Sequence, residues 1–336
     1  MIKKIAMFTD IHLGAKGNSK IHNQDCENFI EWFIEQAKIH NCDTCVFGGD
    51  FHHNRNNINI STLASSIKII EKIGKSFEKS YFLVGNHDLY YKDRRDVHGI
   101  KFAQHINGIN VLDEITKIDS ITFVPWLVGD EWKKIQKIKS PIVIGHFELP
   151  NFYMNAYVKM PDTGTLKSSN FQNQKYVFSG HFHKRQRQGK INYIGNAFPH
   201  NFSDVWDNDR GMMVLDIEND AEPLYINWED CPKYRMTTLS KLLDDPEKYL
   251  CEKAYVKVNV DVQLSYEEAL YVKETLVEKY KCREITIVQQ SQIDENPTNM
   301  EISSFESIDK IVYDEIANFK SSSINPEVLL EIYNQL

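Results

Sequence analysis

The chain has 336 residues, 42% of them hydrophobic and 26% charged, and a formal net charge of −8. That length exceeds what one hydrophobic core usually covers, so one large domain with a smaller appendage is expected, and the composition is ordinary for a soluble globular protein. No apolar run approaches a membrane span, and the acidic balance argues against a nucleic-acid binder held by a generally basic surface; bound cations or a local basic stripe would have to offset it.

The N-terminal run, Met1 to Phe8, is short and ends directly in Thr9-Asp10. It lacks the apolar length and the small-residue cleavage site of a signal peptide, so it reads as a first buried strand and predicts a cytoplasmic protein. Further short apolar runs follow at Cys45 to Phe47, Tyr81 to Val84, Ile142 to Ile144 and Tyr176 to Phe178. Each is bounded by Gly, Asp, Asn or His, as a buried strand should be. Helical spacing lies between them: Cys26, Phe29, Ile30, Phe33 and Ala37 share one face, and Leu63, Ile67, Ile70 and Ile73 another, on a helix from about Ser61 to Phe77. Alternating strands and helices imply an α/β layer fold.

From Ile191 the texture becomes all-strand, with candidates at Ile191 to Ile194, Met212 to Ile217 and Leu224 to Trp228. A separate strand-helix-strand module is expected over 233–290. Its first strand carries Val256, Val258 and Val260; a capping box, Ser265-x-x-Glu268, opens a helix with Leu270, Leu276, Val277 and Tyr280; Glu284 to Val288 is the second strand. Residues 291–336 read as a linker and two short helices, one with Phe305, Ile308, Val312 and Ile316 on a face, the other started by Asn325-Pro326 and striped with Leu329, Ile332, Tyr333 and Leu336. Two short helices cannot bury such stripes alone, so they dock on the body or on a partner. Of the six cysteines, Cys26, Cys42, Cys45, Cys231, Cys251 and Cys282, only Cys42 and Cys45 are close in sequence. A single Cys-x-x-Cys reads as buried or half-buried thiols in a reducing compartment.

The chemistry is concentrated at strand ends. Asp10-Ile11-His12, Gly48-Gly49-Asp50, Gly85-Asn86-His87-Asp88, Gly145-His146 and Gly180-His181-Phe182-His183 each follow an apolar run at what would be the C-terminal edge of a sheet, where open α/β sheets build their sites. Imidazole and carboxylate suit divalent manganese, iron or zinc. Residues i and i+2 of an extended segment point the same way, so Asp10 with His12, and His181 with His183, can aim at one point. Two cations about 3.5–4 Å apart can clamp a phosphodiester, orient a hydroxide and stabilise the leaving oxygen. One Asp-x-His is almost uninformative; the whole ordered set is not, because chance placement of structural histidines would not repeat at every strand end.

This ordered set resembles the calcineurin-like metallophosphoesterase superfamily. The resemblance implies a two-sheet α/β sandwich flanked by helices over 1–232, with one metal on Asp10, His12, Asp50 and His183 and the other on Asp50, Asn86, His146 and His181. Asp50 would bridge, His87 would protonate the leaving oxygen or steady the transition state, and Asp88 would orient His87. Two divalent ions, manganese foremost, with magnesium, iron or zinc as alternatives, are implied. Within the superfamily, protein phosphatases carry a longer signature after the bridging aspartate and read Asn-His-Glu, whereas this chain reads Asp50-Phe51-His52-His53-Asn54-Arg55 and ends its third motif in Asp88.

The nuclease branch, which includes the SbcD-type and T-even-phage recombination endonuclease subunits, fits better. His53 stands where many members keep a site histidine, and Gly145-His146-Phe147-Glu148-Leu149 and Tyr193-Ile194-Gly195-Asn196 are similar to the phage subunit, although Asn196-Ala197-Phe198-Pro199 replaces the usual Ser-Pro or Thr-Pro turn. The branch implies a DNA exo- or endonuclease in recombination, repair and replication, in the cytoplasm of a bacterial cell or phage-infected host. It also implies a homodimer, residues 233–290 as a capping, DNA-binding module, and residues 291–336 as the element that binds an SMC-like ATPase. Arg55, Lys92, Arg94, Arg95, Lys184, Arg185 and Arg187 follow the metal motifs and are candidate phosphate contacts. A stand-alone phosphodiesterase or phosphatase for small esters is the alternative and suits the acidic charge. A scaffold that had lost its chemistry should have lost ligands, and none is missing.

Overall fold

The computed structural model describes residues 1–154, 158–263 and 265–289. The expected linker and terminal helices of 291–336 lie outside the described residues. Met1–Gln289 form one compact unit.

Two six-stranded sheets face each other. The first contains β1 (Lys4–Phe8), β2 (Thr44–Phe47), β3 (Lys79–Leu83) and β4 (Ile109–Leu112) in parallel, continued on the other side of β1 by antiparallel β11 (Gly211–Asp216) and β12 (Leu224–Asn227). The second contains β6 (Ile121–Val124), β7 (Ile142–His146), β8 (Tyr176–Gly180) and β10 (Ile191–Tyr193) in parallel, with antiparallel β5 (Thr116–Ile118) and β9 (Gln186–Gln188) at its edges. This is the fold class the sequence implied.

The two-residue period of a strand decides which side chains meet. Ile5 and Met7 of β1 point between the sheets, with Val46, Leu83, Phe123, Ile144 and Phe178. Ala6 and Phe8 point outward, under α1 (Lys20–Ile39) and α2 (Ile60–Ser76). Phe8 meets Phe33 edge-on at 4.7 Å. The expected stripe of α1 is buried in full. The buried face of α2 is different: Thr62, Ser66, Ile69, Ile70 and Ile73 turn inward, and Ile67 is exposed. The helix is rotated because Thr62 and Ser66 hold loops of the site, Thr62 through Asn23 (3.0 Å) and Ser66 through His52 (2.8 Å).

The third sheet is parallel and has its own apolar cluster: β13 (Lys233–Thr238), β14 (Ala254–Val260) and β15 (Glu284–Gln289), with α3 (Leu239–Asp244), α4 (Pro246–Tyr249) and α5 (Tyr266–Tyr280). The capping box of α5 is present, with Glu268 N–H donating to Ser265 at 3.2 Å and Ser265 N–H to Glu268 at 2.9 Å. Of the apolar residues expected on α5, Leu276 is buried and Leu270 is exposed. All six cysteines are free and buried or half-buried. Among the described residues no helix is long and apolar enough to cross a membrane.

Candidate metal centre

The C-terminal ends of β1, β2, β3, β7 and β8 carry the predicted ligands to one place. To turn there, the backbone enters the left-handed region at Asp10 (φ 51°), His12 (48°), Asp50 (62°) and His181 (91°). Such conformations cost about 1–3 kcal/mol each in a non-glycine residue and persist where the surroundings over-determine them. Glycine is required beside them. A Cβ on Gly85 would stand 2.2 Å from Asp50 Oδ1, and one on Gly180 would stand 2.1 Å from Thr9 Oγ1.

Asp50 is shared by two clusters, Asp10/His12/Asp50 and Asp50/His146/His181, each with ligand atoms within 4.8 Å of one another. Asp50 Oδ2 lies 3.4 Å from His146 Nε2 and 3.8 Å from His12 Nε2. His12 Nε2 faces His183 Nε2 at 3.2 Å, and Asn86 Oδ1 is 3.0 Å from His146 Nε2 and 2.9 Å from His181 Nδ1. His146 Nδ1 donates to the Gly48 carbonyl at 2.8 Å, which aims Nε2 inward as a ligand.

This donor set fits a pair of divalent cations. Burial opposes charge on His146, yet the Asp50 carboxylate holds its pKa up to about 9, and Asp50 itself is held well below the usual carboxylate range despite its burial. Burial drives His12 well below its ordinary value, and its Nδ1 is buried without a partner. The carboxylates require positive charge that the buried imidazoles supply only by taking protons. Cations would satisfy both.

His87 is half-buried, with its ring 4.8 Å from His12. Its amide donates to Asp50 Oδ1 (2.7 Å), and its Nδ1 donates to the His53 carbonyl (2.8 Å), which leaves Nε2 free. His53 is exposed but stacks on His87 at 5.7 Å, so it stands at the mouth of the site. Both line an open cleft of about 510 Å³ with Arg55.

Asp88 does not orient the His87 ring. Its carboxylate accepts the amides of Gly85 (2.8 Å), Phe51 (2.9 Å), Asp50 (3.0 Å) and His52 (3.4 Å), tying two ligand loops together. Burial and the neighbouring Asp50 charge push it up to about 7 against those four donors.

The basic candidates separate by environment. Arg55 lines the cleft. Arg94 is exposed over the Tyr91 ring and 3.2 Å from Asp96, Arg187 pairs with Glu222 at 2.6 Å, and Lys184 lies over Tyr153. Arg95 and Arg185 are internal, which corrects their reading as phosphate contacts. Arg95 is bound to Glu131 and two carbonyls, and Arg185 donates to the Ile194 carbonyl (3.1 Å) and Asn227 (2.6 Å) over the Tyr225 ring.

Sequence reasoning missed several neighbours. Glu148 is 3.3 Å from His181 Nε2, the Trp126 ring is 4.9 Å from that of His181, and the His200 ring lies 5.5 Å from those of both His12 and His183. Glu148 follows the His146 motif at a distance of two residues, a usable signal; Trp126 and His200 had none.

A family model described as calcineurin-like phosphoesterase matches residues 3–185. The chain is similar to exonuclease subunit 1 of Enterobacteria phage T4, 27% identical over 227 residues that make up 65% of this chain and 66% of that protein, just under two thirds of its length. It is also similar to the putative phosphoesterase 244L of Invertebrate iridescent virus 6, 29% identical over 276 residues, 73% of this chain and 90% of that protein. Among solved structures, the nuclease MPE of Pseudomonas putida matches with a TM-score of 0.30 at 19% identity, over 56% of this chain and 66% of that one.

Proposed function

The chain belongs to the calcineurin-like phosphoesterase family, and on that premise we propose that it is a nuclease that hydrolyses DNA phosphodiester bonds. Membership makes it a metal-dependent phosphoester hydrolase with a dimetal centre. The observation that carries the proposal is the shared Asp50, at the junction of two ligand clusters beside an open cleft. An open cleft suits a polymer better than a closed pocket does, and the phage relative is named as an exonuclease subunit.

Bound cations would polarise the phosphoryl oxygens and make an attacking water acidic. The protein's own part is positional. Asp88 fixes the Asp50 and Asn86 loops; the His53 carbonyl fixes His87, whose free Nε2 holds or hands on a proton at the leaving oxygen; Arg55 faces the strand. We extend the proposal to manganese as the working cation, a homodimer in the cytoplasm, a DNA-capping role for 233–290, and an SMC-like ATPase partner held by 291–336 in recombination, repair and replication.

The test is hydrolysis by the purified chain, with manganese, of single-stranded circular DNA and of a chromogenic phosphodiester, each against His87→Ala. DNA cleavage lost in the variant supports the nuclease. Hydrolysis of the small ester with no DNA cleavage at any metal or salt concentration, with or without an ATPase partner, would favour a small-ester phosphodiesterase, the reading that the net charge of −8 supports.

A further inference from the structure

The first cation cluster has a histidine that neither the motifs nor the family pattern supplied. His200 is 5% exposed and its Nε2 is buried with no hydrogen-bond partner. A buried polar nitrogen left unpaired is destabilising, so a native structure is expected to give it a partner. One ring nitrogen of His200 lies within 4.8 Å of ligand nitrogens of both His12 and His183. Those three rings, with Lys16 and His87, line a cavity of about 180 Å³.

The ring is held in place from several directions. Its amide donates to Asp204 at 2.9 Å, and its carbonyl accepts the Tyr234 hydroxyl at 2.6 Å. Asp204 is in turn bound by the buried Arg210. The rings of Phe198 (5.0 Å) and His22 (5.3 Å) pack on the imidazole, and His22 is fixed by its bond to the His12 carbonyl. A backbone pinned at both its amide and its carbonyl, under a wedged ring, describes a preorganised ligand rather than a side chain that chances to be near.

We propose that His200 is a further ligand of the cation held by Asp10, His12, Asp50 and His183. This rests on the two-cation reading of the site. A third imidazole makes that position nitrogen-rich, and nitrogen-rich sites favour zinc, cobalt and iron over manganese and magnesium. The second position, with Asp50, Asn86, His146 and His181, keeps a larger share of oxygen donors. The two positions therefore differ in the metals they prefer, so a mixed pair is the expected occupancy when zinc or iron is present.

The test uses the full chain, stripped with a chelator and titrated by calorimetry with Zn²⁺ and separately with Mn²⁺, with the visible absorption of added Co²⁺ as a geometric probe. His200→Leu, and His200→Gln as a polar variant should the first fail to fold, should lose at least about tenfold in Zn²⁺ and Co²⁺ affinity at one site. The Co²⁺ band should change shape or intensity, and Mn²⁺ affinity should change much less. Zn²⁺ isotherms and Co²⁺ spectra of a folded variant that superimpose on those of the unaltered chain overturn the assignment while the two-cation reading stands. An unaltered chain that binds no divalent cation removes both.

Discussion

Replacing Arg95 by methionine separates a structural arginine from a DNA contact. The Arg95 side chain is 9% exposed and makes bonds of 2.5 and 3.0 Å to Glu131, 2.6 Å to the Asp113 carbonyl and 2.7 Å to the Trp126 carbonyl. It thereby joins the segment after the His87 motif to the loop that follows β6 and carries Trp126. Breaking a fully buried pair costs about 3–5 kcal/mol because a charge is left unpaired. Glu131 is 19% exposed and keeps a 3.2 Å contact with Lys134, so water screens part of that loss and the expected cost is about 2–4 kcal/mol. Methionine keeps the aliphatic bulk, so little of this comes from a cavity.

For a domain of this size class such a loss lowers the melting temperature by roughly 5–10 °C. The pH dependence has a definite sign. Burial opposes charge on Glu131, but its bonds to Arg95 hold its pKa down to about 2, below its ordinary value of 4.5. The contribution is therefore complete above about 4.5 and disappears as pH falls through the folded value near 2. Melting curves of the two proteins should be furthest apart near neutrality and converge in acid. The salt dependence of DNA cleavage should be the same in both. An unchanged melting temperature together with a shallower salt slope would refute this reasoning and return Arg95 to the DNA.

Asp88→Asn leaves four backbone donors facing an amide, and should cost about 2–4 kcal/mol in urea unfolding and weaken cation binding through the two loops it ties; an unchanged urea midpoint would show that the clamp is dispensable. Gly85→Ala drives a methyl into Asp50, where backbone cannot yield, so a stability loss of about 1–3 kcal/mol and loss of hydrolysis are expected; full activity would mean that the Asp50 loop is softer than its geometry. Cations at a hundred times their dissociation constant should add about 2.7 kcal/mol of stability. Chelation should lower the melting temperature accordingly, and identical melts with and without chelator would count against a preformed centre.

The candidate ligand set was legible because each member combines an uncommon requirement with a place in the pattern: a metal-type donor at the end of a buried strand. The stripe of α1 was legible for a similar reason, since one helix face is apolar throughout. What failed to show were features that depend on the other partner in a contact. α2 turns Thr62 and Ser66 inward because Asn23 and His52 need them, and nothing in α2 itself says so. The edge strands β5 and β9 are three residues long and carry too little alternation to read. Arg55 and Arg95 both follow metal motifs closely, yet one lines the cleft and the other is tied to Glu131. Nearness in sequence to a motif fixes neither the side nor the burial of a long side chain.

The third sheet bears on the cation site more directly than its place in the chain suggests. Arg283, just before β15, makes bonds of 2.5 and 2.6 Å to the buried Asp25 of α1. Lys16, four residues after His12, reaches the Tyr234 hydroxyl and lies 3.9 Å over the ring of Tyr255. Tyr234 of β13 and Tyr255 of β14 stack at 5.0 Å, and Tyr234 donates to the carbonyl of His200. The sheet thus grips the segment that follows the first ligand pair and, separately, the residue that closes the same cluster from the far side. Displacing β13 would break the Tyr234 bond to the His200 carbonyl, and displacing the start of β15 would strain the Arg283–Asp25 pair. These contacts hold the third sheet against the Lys16 and His200 segments beside the candidate centre.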